Sequence, residues 1–327
     1  MLLPALDRVA AFAEANDLSE IVSLDPKQFW GIPLALIGAA LMSFGAQYQS
    51  RGLNKVARIT GRSAGSGLSF QHIVRLLRRP SWVVGTLFLG LAVVFQLGSL
   101  SLSPLIVVQP IGVVALVITA ILNSRMTKVR LPKRATASLA MCVTGIVVFV
   151  TVAAFTAADR PVTDQKLVII LVLFAVVLVA ALLLFVLFRH RAFALLYIVG
   201  SGVLYGFVAT FAKTVIGRLQ QGEFDWLTWL CVAALLAGAL LGMVFVQNAY
   251  SSGPPDLVIA GLTVIDPLVA ILIGIVVLQE AAGAPLWATI TFVITGIVAL
   301  IGVFGLAKFH PQTGKSALEE PAPQIAR

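Results

Sequence analysis

Two short polar interruptions in apolar surroundings carry the chemistry this chain could do. Asp266 and Pro267 stand side by side within a long apolar run, and Gln109 and Pro110 do the same earlier in the chain. A carboxylate at the centre of a bilayer costs at least about 2.5–3.5 kcal/mol, so it is expected to face a partner or a hydrated cavity. The proline beside it has no N–H and leaves one helical carbonyl without its usual donor. A carboxylate next to a free carbonyl can hold a cation or a proton. The alternative is an aspartate that bonds a neighbouring helix and serves packing only. Of the fourteen acidic residues, Asp266 is the one expected deep in the membrane, and it is the only candidate metal ligand.

Other polar residues within apolar runs extend the candidate set. Lys213 is expected about one turn from the end of its helix. There it either snorkels to the headgroups or enters a cavity and pairs with Asp266 or an anionic group. Gln47, Gln49, Gln96, Gln109 and Gln247 are amides that can coordinate ions or join helices. Pro110 and Pro267 are expected to break their helices and serve as hinges. Cys142 and Cys231 lie in apolar runs and read as fillers. His72, His190 and His310 have no partner at metal-ligand spacing. No glycine-rich run ends in Lys-Ser or Lys-Thr, so no nucleotide-binding loop is expected. The lack of paired acids or a histidine constellation argues against an enzyme, and no cofactor is expected. The pairs Gly202/Gly206 and Gly238/Gly242 permit close helix contact, of which a homodimer is one use.

These residues need elements that cross a membrane. Of 327 residues, 59% are hydrophobic and 11% charged, too few charges to cover a soluble surface. Apolar runs of about 20 residues suit spanning helices. The expected spans are 30–50, 81–101, 103–123, 135–156, 167–188, 192–216, 226–248, 257–278 and 286–307. Residues 1–29 form an extracytoplasmic segment, with an interfacial helix around 2–15 as one reading, 30–307 the membrane domain, and 308–327 a cytoplasmic tail. The turn Ser251–Asp256 is expected to be a stiff link before the eighth span.

Charge sets the orientation. Of 23 lysines and arginines, 17 fall on one side of this map and five on the other. Positive loops stay cytoplasmic, which places the amino terminus outside the cell membrane and the carboxyl terminus inside. The net charge of +9 is thereby explained through inner-leaflet lipids, without nucleic acid. Trp30, Trp82, Trp226, Trp229 and Trp287 fall near span starts, where indoles sit at headgroup level.

The two halves repeat. Gln109-Pro110 in the third span matches Asp266-Pro267 in the eighth. Val143-Thr144-Gly145-Ile146-Val147 in the fourth matches Ile294-Thr295-Gly296-Ile297-Val298 in the ninth. Gln96 and Gln247 correspond in the second and seventh. Gly38 to Arg51 in the first has the spacing of Gly200 to Lys213 in the sixth. Spans 1–4 thus match 6–9, with span 5 as linker. Five spans separate equivalents, so the halves are inverted, as in many secondary transporters.

With this layout, residues 30–307 resemble the NIPA-type magnesium transporters of the drug/metabolite transporter superfamily, which also includes the EamA-like proteins. The resemblance rests on Ser43-Phe44-Gly45 through Arg51-Gly52-Leu53, on Ser103 to Asn123, on Phe211-Ala212-Lys213, and on Gln247 through Glu280. Gln279-Glu280 is similar to an acidic helix end common in the superfamily; Asn123-Ser124-Arg125 departs from it in the first half. The resemblance implies alternating access with Mg²⁺ or another small cation as cargo. Lys213 and the basic rim leave an anionic metabolite or lipid-linked phosphate open, Asp266 leaves a cationic drug open, and a non-transporting assembly partner is the reading from another class.

Overall fold

The computed structural model describes residues 26–60, 79–127, 132–188, 194–253 and 255–309. Among them, nine helical stretches are long and apolar enough to cross a bilayer. The chain is an all-α polytopic membrane protein. The helices are α1 (Gly31–Thr60), α2 (Pro80–Leu102), α3, α4 (Lys133–Thr156), α5 (Asp164–Phe188), α6 (Ala194–Gln221), α7 (Trp226–Ser252), α8 (Pro255–Val276) and α9 (Leu286–Phe309). The third is split into α3a (Leu105–Gly112) and α3b (Val114–Thr127). The interfacial segment around 2–15 and the tail beyond 309 lie outside the described residues; Lys308 and Phe309, expected in the tail, are the last residues of α9.

Several boundaries differ from expectation for identifiable reasons. The third span was expected as one helix over 103–123. Pro110 lies inside α3a, and the helix is interrupted three residues after it, at Val113, where the backbone tightens to Val113 N–H donating to Pro110 O at 3.2 Å and Leu116 N–H to Val113 O at 3.0 Å. These shorter-range bonds separate α3a from α3b. Pro267 causes no such break, and α8 runs through it. Helix α8 stops at Val276 rather than 278, so Gln279 and Glu280 lie in the following turn. Gln279 adopts a positive φ of 62° there. Helices α1, α6 and α7 run beyond their expected ends, to Thr60, Gln221 and Ser252. In α1 and α6, basic residues near the end, Arg51, Lys55 and Arg218, let the helix continue past the hydrocarbon region; α7 has no basic residue in its last turn.

The alternation of crossings is visible in what meets at one end. Ser99 of α2 donates to Gly31 O of α1 at 2.7 Å. Ala158 N–H, after α4, donates to Glu280 O, after α8, at 2.9 Å. Gln220 at the end of α6 donates to Ser101 O at the end of α2, at 3.1 Å. Starts of odd-numbered helices and ends of even-numbered ones share this face, as alternating crossings by the nine described helices require.

Packing follows the repeat. Helix α1 lies along α2 as α6 lies along α7, α1 packs on α3 as α6 packs on α8, and α4 and α9 pair across the halves. Small residues bring the last pair together: a Cβ on Gly302 would sit 2.4 Å from Cys142 N, and one on Gly145 2.7 Å from Ala299 N. Backbone cannot yield as a side-chain tip can. Gly302→Ala is expected to push α9 from α4 at about 1–3 kcal/mol, the usual cost of overpacking, read as a lower denaturation midpoint in detergent. The pairs Gly202/Gly206 and Gly238/Gly242 are used inside the chain. The first meets Ile265 and Val269 of α8, and the second meets Val208, Phe174 and Tyr205.

Candidate functional site

Lys213 occupies a different place from either expectation. It lies two turns inside α6, which continues to Gln221, and it is only 3% exposed. Its Nζ is 2.6 Å from Asp159 Oδ2 and donates to Leu100 O at 2.8 Å and Ser103 O at 3.0 Å. All three ammonium protons therefore have acceptors. The carbonyls belong to the last turn and cap of α2, where helices lack internal donors and carry partial negative charge. Lys213 thus ties α6 to the end of α2 and to the link after α4. It neither snorkels nor pairs with Asp266.

Glu280 adds a second tie at this end. It is 2% exposed, so Asp266 is not the only acid withdrawn from the surface. The Leu105 and Ile106 N–H groups donate to its two carboxylate oxygens at 2.8 and 2.9 Å. Those are the first amides of α3a, whose preceding residue, Pro104, provides no side-chain cap. A carboxylate there satisfies orphan donors and opposes the helix dipole. Gly274 leaves room for it, since a Cβ at that position would stand 2.7 Å from the carboxylate. Burial pushes the Glu280 carboxyl up, to about 7, against the pull of the two amides and of Lys213. Nearby, Arg218 is held by Asp164 at 2.8 Å and Asp225 at 3.0 Å, joining α5, α6 and the start of α7.

Deeper in the molecule, Asp266 is half-buried, and its Oδ1 is buried without a hydrogen-bond partner. Its backbone lies against Gly202 and Gly206 of α6, and Tyr205 is within its electrostatic reach. Gln109 is buried on α3a, the part of α3 that packs on α8. The prolines come together elsewhere. Pro110 and Pro267 both line a chamber of about 290 Å³ among α3, α4, α8 and α9, with Phe149, Phe292 and Gly296 also on its wall. Asp266 and Gln109 are not part of that wall. Residues 263, 264, 267, 268, 271 and 275 line it, and a helix turning 100° per residue sends position 266 to another side. The chamber is almost wholly apolar.

Of the sequence candidates, the structure brings Asp266 and Gln109 onto two helices in contact. Gln47 and Gln96 are half-buried on α1 and α2, and Gln247 is exposed on α7. Reading the chain did not single out Asp159 or Tyr205. Asp159 stands in the polar run Asp159–Lys166, which resembles any solvated link. Ser43 was quoted only within a motif; its hydroxyl lies 2.7 Å from Ala115 O of α3b and 2.9 Å from Ala39 O. Among the described residues no group of three or more His, Cys, Asp and Glu is placed to hold a metal ion.

The fold defines a multi-pass membrane protein with two matching four-helix halves. In sequence it is similar to an uncharacterized protein of Corynebacterium glutamicum, 28% identical over 257 residues, which cover 77% of this chain and 88% of that one. No protein-family model matches the chain, and no solved structure does.

Proposed function

We propose that this chain is a secondary transporter working by alternating access, with a small cation as cargo and Asp266 as its counter-charge. One observation carries the reading: the two ends of the bundle are packed differently although the halves match. At the Lys213 end, α2 packs on α6, and α3a packs on α8. At the Arg51 end, the repeat equivalents are α7 on α1 and α3b on α8. Neither pair shows comparable packing among the described residues. An inverted repeat whose halves adopt unequal conformations is open at one end, and exchanging those conformations opens the other. Positive-inside charge makes the closed end the outer one.

The cation reading draws on the Asp266 carboxylate, which has an unpartnered oxygen. The anionic reading loses its main support, because Lys213 is already committed to Asp159. Mg²⁺, the cargo that the resemblance implies, is usually held by one or two carboxylates while keeping several waters, and Asp266 supplies one. An organic cation needs only the single charge.

Flux into proteoliposomes distinguishes these cargoes. Mg²⁺, a panel of organic cations and a panel of organic anions and phosphates are each offered to purified protein. Saturable uptake of a cation is expected. Uptake confined to anions would overturn the cation assignment. Absence of any saturable flux across all panels and both ion gradients would count against transport itself.

A further inference from the structure

We infer that the apolar chamber among α3, α4, α8 and α9 is a binding site for the acyl chain of a bilayer lipid, entered sideways from the membrane between α8 and α9. Asp266 is not on its wall, and the inference goes beyond the transport reading without depending on it.

The size and the wall select an apolar ligand. Protein interiors are close-packed, with few voids larger than a water molecule, yet this chamber measures about 290 Å³. A buried water needs several polar partners. Thr263 is the one wall residue with a polar side chain, and its hydroxyl already donates to Ile259 O within its own helix, at 2.7 Å. An apolar cavity of roughly 150 Å³ takes a benzene ring. This chamber therefore has room for an apolar segment about twice that size.

The repeat points to the same space. Gly145 and Gly296 are repeat mates. A Cβ on Gly145 would sit 2.7 Å from Ala299 N, so that glycine serves the contact of α4 with α9. A Cβ on Gly296 would meet no atom within 4 Å among the described residues. Glycine in a helix interior is less favourable than alanine, and no neighbour requires it here. What the missing side chain provides is room in the chamber, whose wall includes Gly296.

Depth and surroundings choose the occupant. At about 1.5 Å per residue, Gly296 stands about 15 Å from Leu286 at the start of α9 and about 20 Å from Phe309 at its end. Pro267 stands about 18 Å from Pro255 and about 14 Å from Val276. Both positions fall near the middle of a hydrocarbon core about 30 Å thick. The wall residues Leu268, Val293 and Ile297 are 42%, 57% and 52% exposed, so the chamber opens on their side. On α9 they run into a stripe of exposed Ile290, Ile294 and Ile301, a purely apolar face of the kind that lipid tails solvate. Helix α8 packs on α9 far less closely than α4 does, which leaves the way in between them. At this depth the mouth meets the end segments of acyl chains, and headgroups and water lie beyond reach. Phe149 and Phe292, each less than a tenth exposed, stand at the back. A chain seated there rests on both repeat prolines.

Photo-crosslinking of the full chain in liposomes of phosphatidylcholine and phosphatidylglycerol tests this. The reagent is a phosphatidylcholine with a diazirine near the end of one acyl chain, and labelled residues are mapped by mass spectrometry. Label is expected on Phe149 and Phe292, and also on the exposed Val176 of α5, which reports ordinary lipid contact. Gly296→Leu fills the chamber and is expected to abolish label at Phe149 and Phe292 while leaving Val176 unchanged, with Gly296→Ala intermediate. A melting midpoint near that of wild type shows that each variant is folded, and the wild-type map decides the site without any variant. Label on Val293, Ile297 and Val176 with none on Phe149 or Phe292 would overturn the site. So would label at Phe149 and Phe292 that persists in Gly296→Leu. Exclusion of label from Val293 and Ile297 together with a dimeric mass would assign the mouth to a second copy of this chain and overturn the lipid assignment.

Discussion

Asp266→Asn is expected to cut cation flux by at least about 30-fold, a loss of roughly 2 kcal/mol, while expression and thermal midpoint stay near wild type. Asparagine keeps the shape and one carbonyl oxygen but cannot balance a cation's charge. The Oδ1 atom accepts no hydrogen bond in the structure, so the substitution breaks no internal bond on that side. A residue used only for packing would behave in the opposite way, with stability falling and flux per folded molecule preserved. Initial rates in proteoliposomes at matched protein content, with a melting curve in the same detergent, separate the two. Wild-type flux in Asp266→Asn would remove the aspartate from the transport pathway.

The second large effect is expected at Glu280. Its replacement by alanine leaves the Leu105 and Ile106 amides without acceptors inside the protein, at about 1–3 kcal/mol for each buried group left unsatisfied. Glu280→Ala should therefore lower stability by roughly 2–6 kcal/mol, beyond the range of ordinary surface changes. Glu280→Gln should cost less, because its one carbonyl oxygen can still accept from an amide. Chemical denaturation in mixed micelles measures both. Equal and negligible losses would show that water caps α3a.

Acidity adds a separate signature. Burial raises the Glu280 carboxyl from 4.5 to about 7. An acid whose folded-state value lies above its unfolded one binds more protons when folded. Stability therefore falls as pH rises between those values and levels off above them. Wild-type stability is expected to decline from pH 5 to pH 7 by an increment that Glu280→Gln lacks.

The candidate residues show why some placements could be read from the chain and some could not. Asp266 stood out in the sequence because an ionisable group in an apolar run is costly wherever the helix packs. Glu280 was noticeable as an acidic helix end, but its task was not, since the amides that it caps lie far away in the chain, at Leu105 and Ile106. Lys213 was visible as a cation in a span, yet its partners come from the end of α2 and from the link after α4. Asp159 gave no signal, because a carboxylate in a polar loop is ordinary until a buried ammonium is placed against it.

Hydrophobic run length alone determined the nine membrane-length helices among the described residues, for in lipid each backbone group must be satisfied within its own helix. Residue order also showed the two matching halves, since it records which segments share a pattern. Only the tertiary structure decided that the third helix breaks after Pro110 while α8 runs unbroken through Pro267, and that both prolines line an apolar chamber while the backbone of Asp266 lies against α6. It alone placed Lys213 against Asp159. Helix phase and helix neighbours depend on close packing at points such as Gly206 and Gly302, where segments distant in the chain meet, and runs of similar apolar residues do not specify which faces will touch.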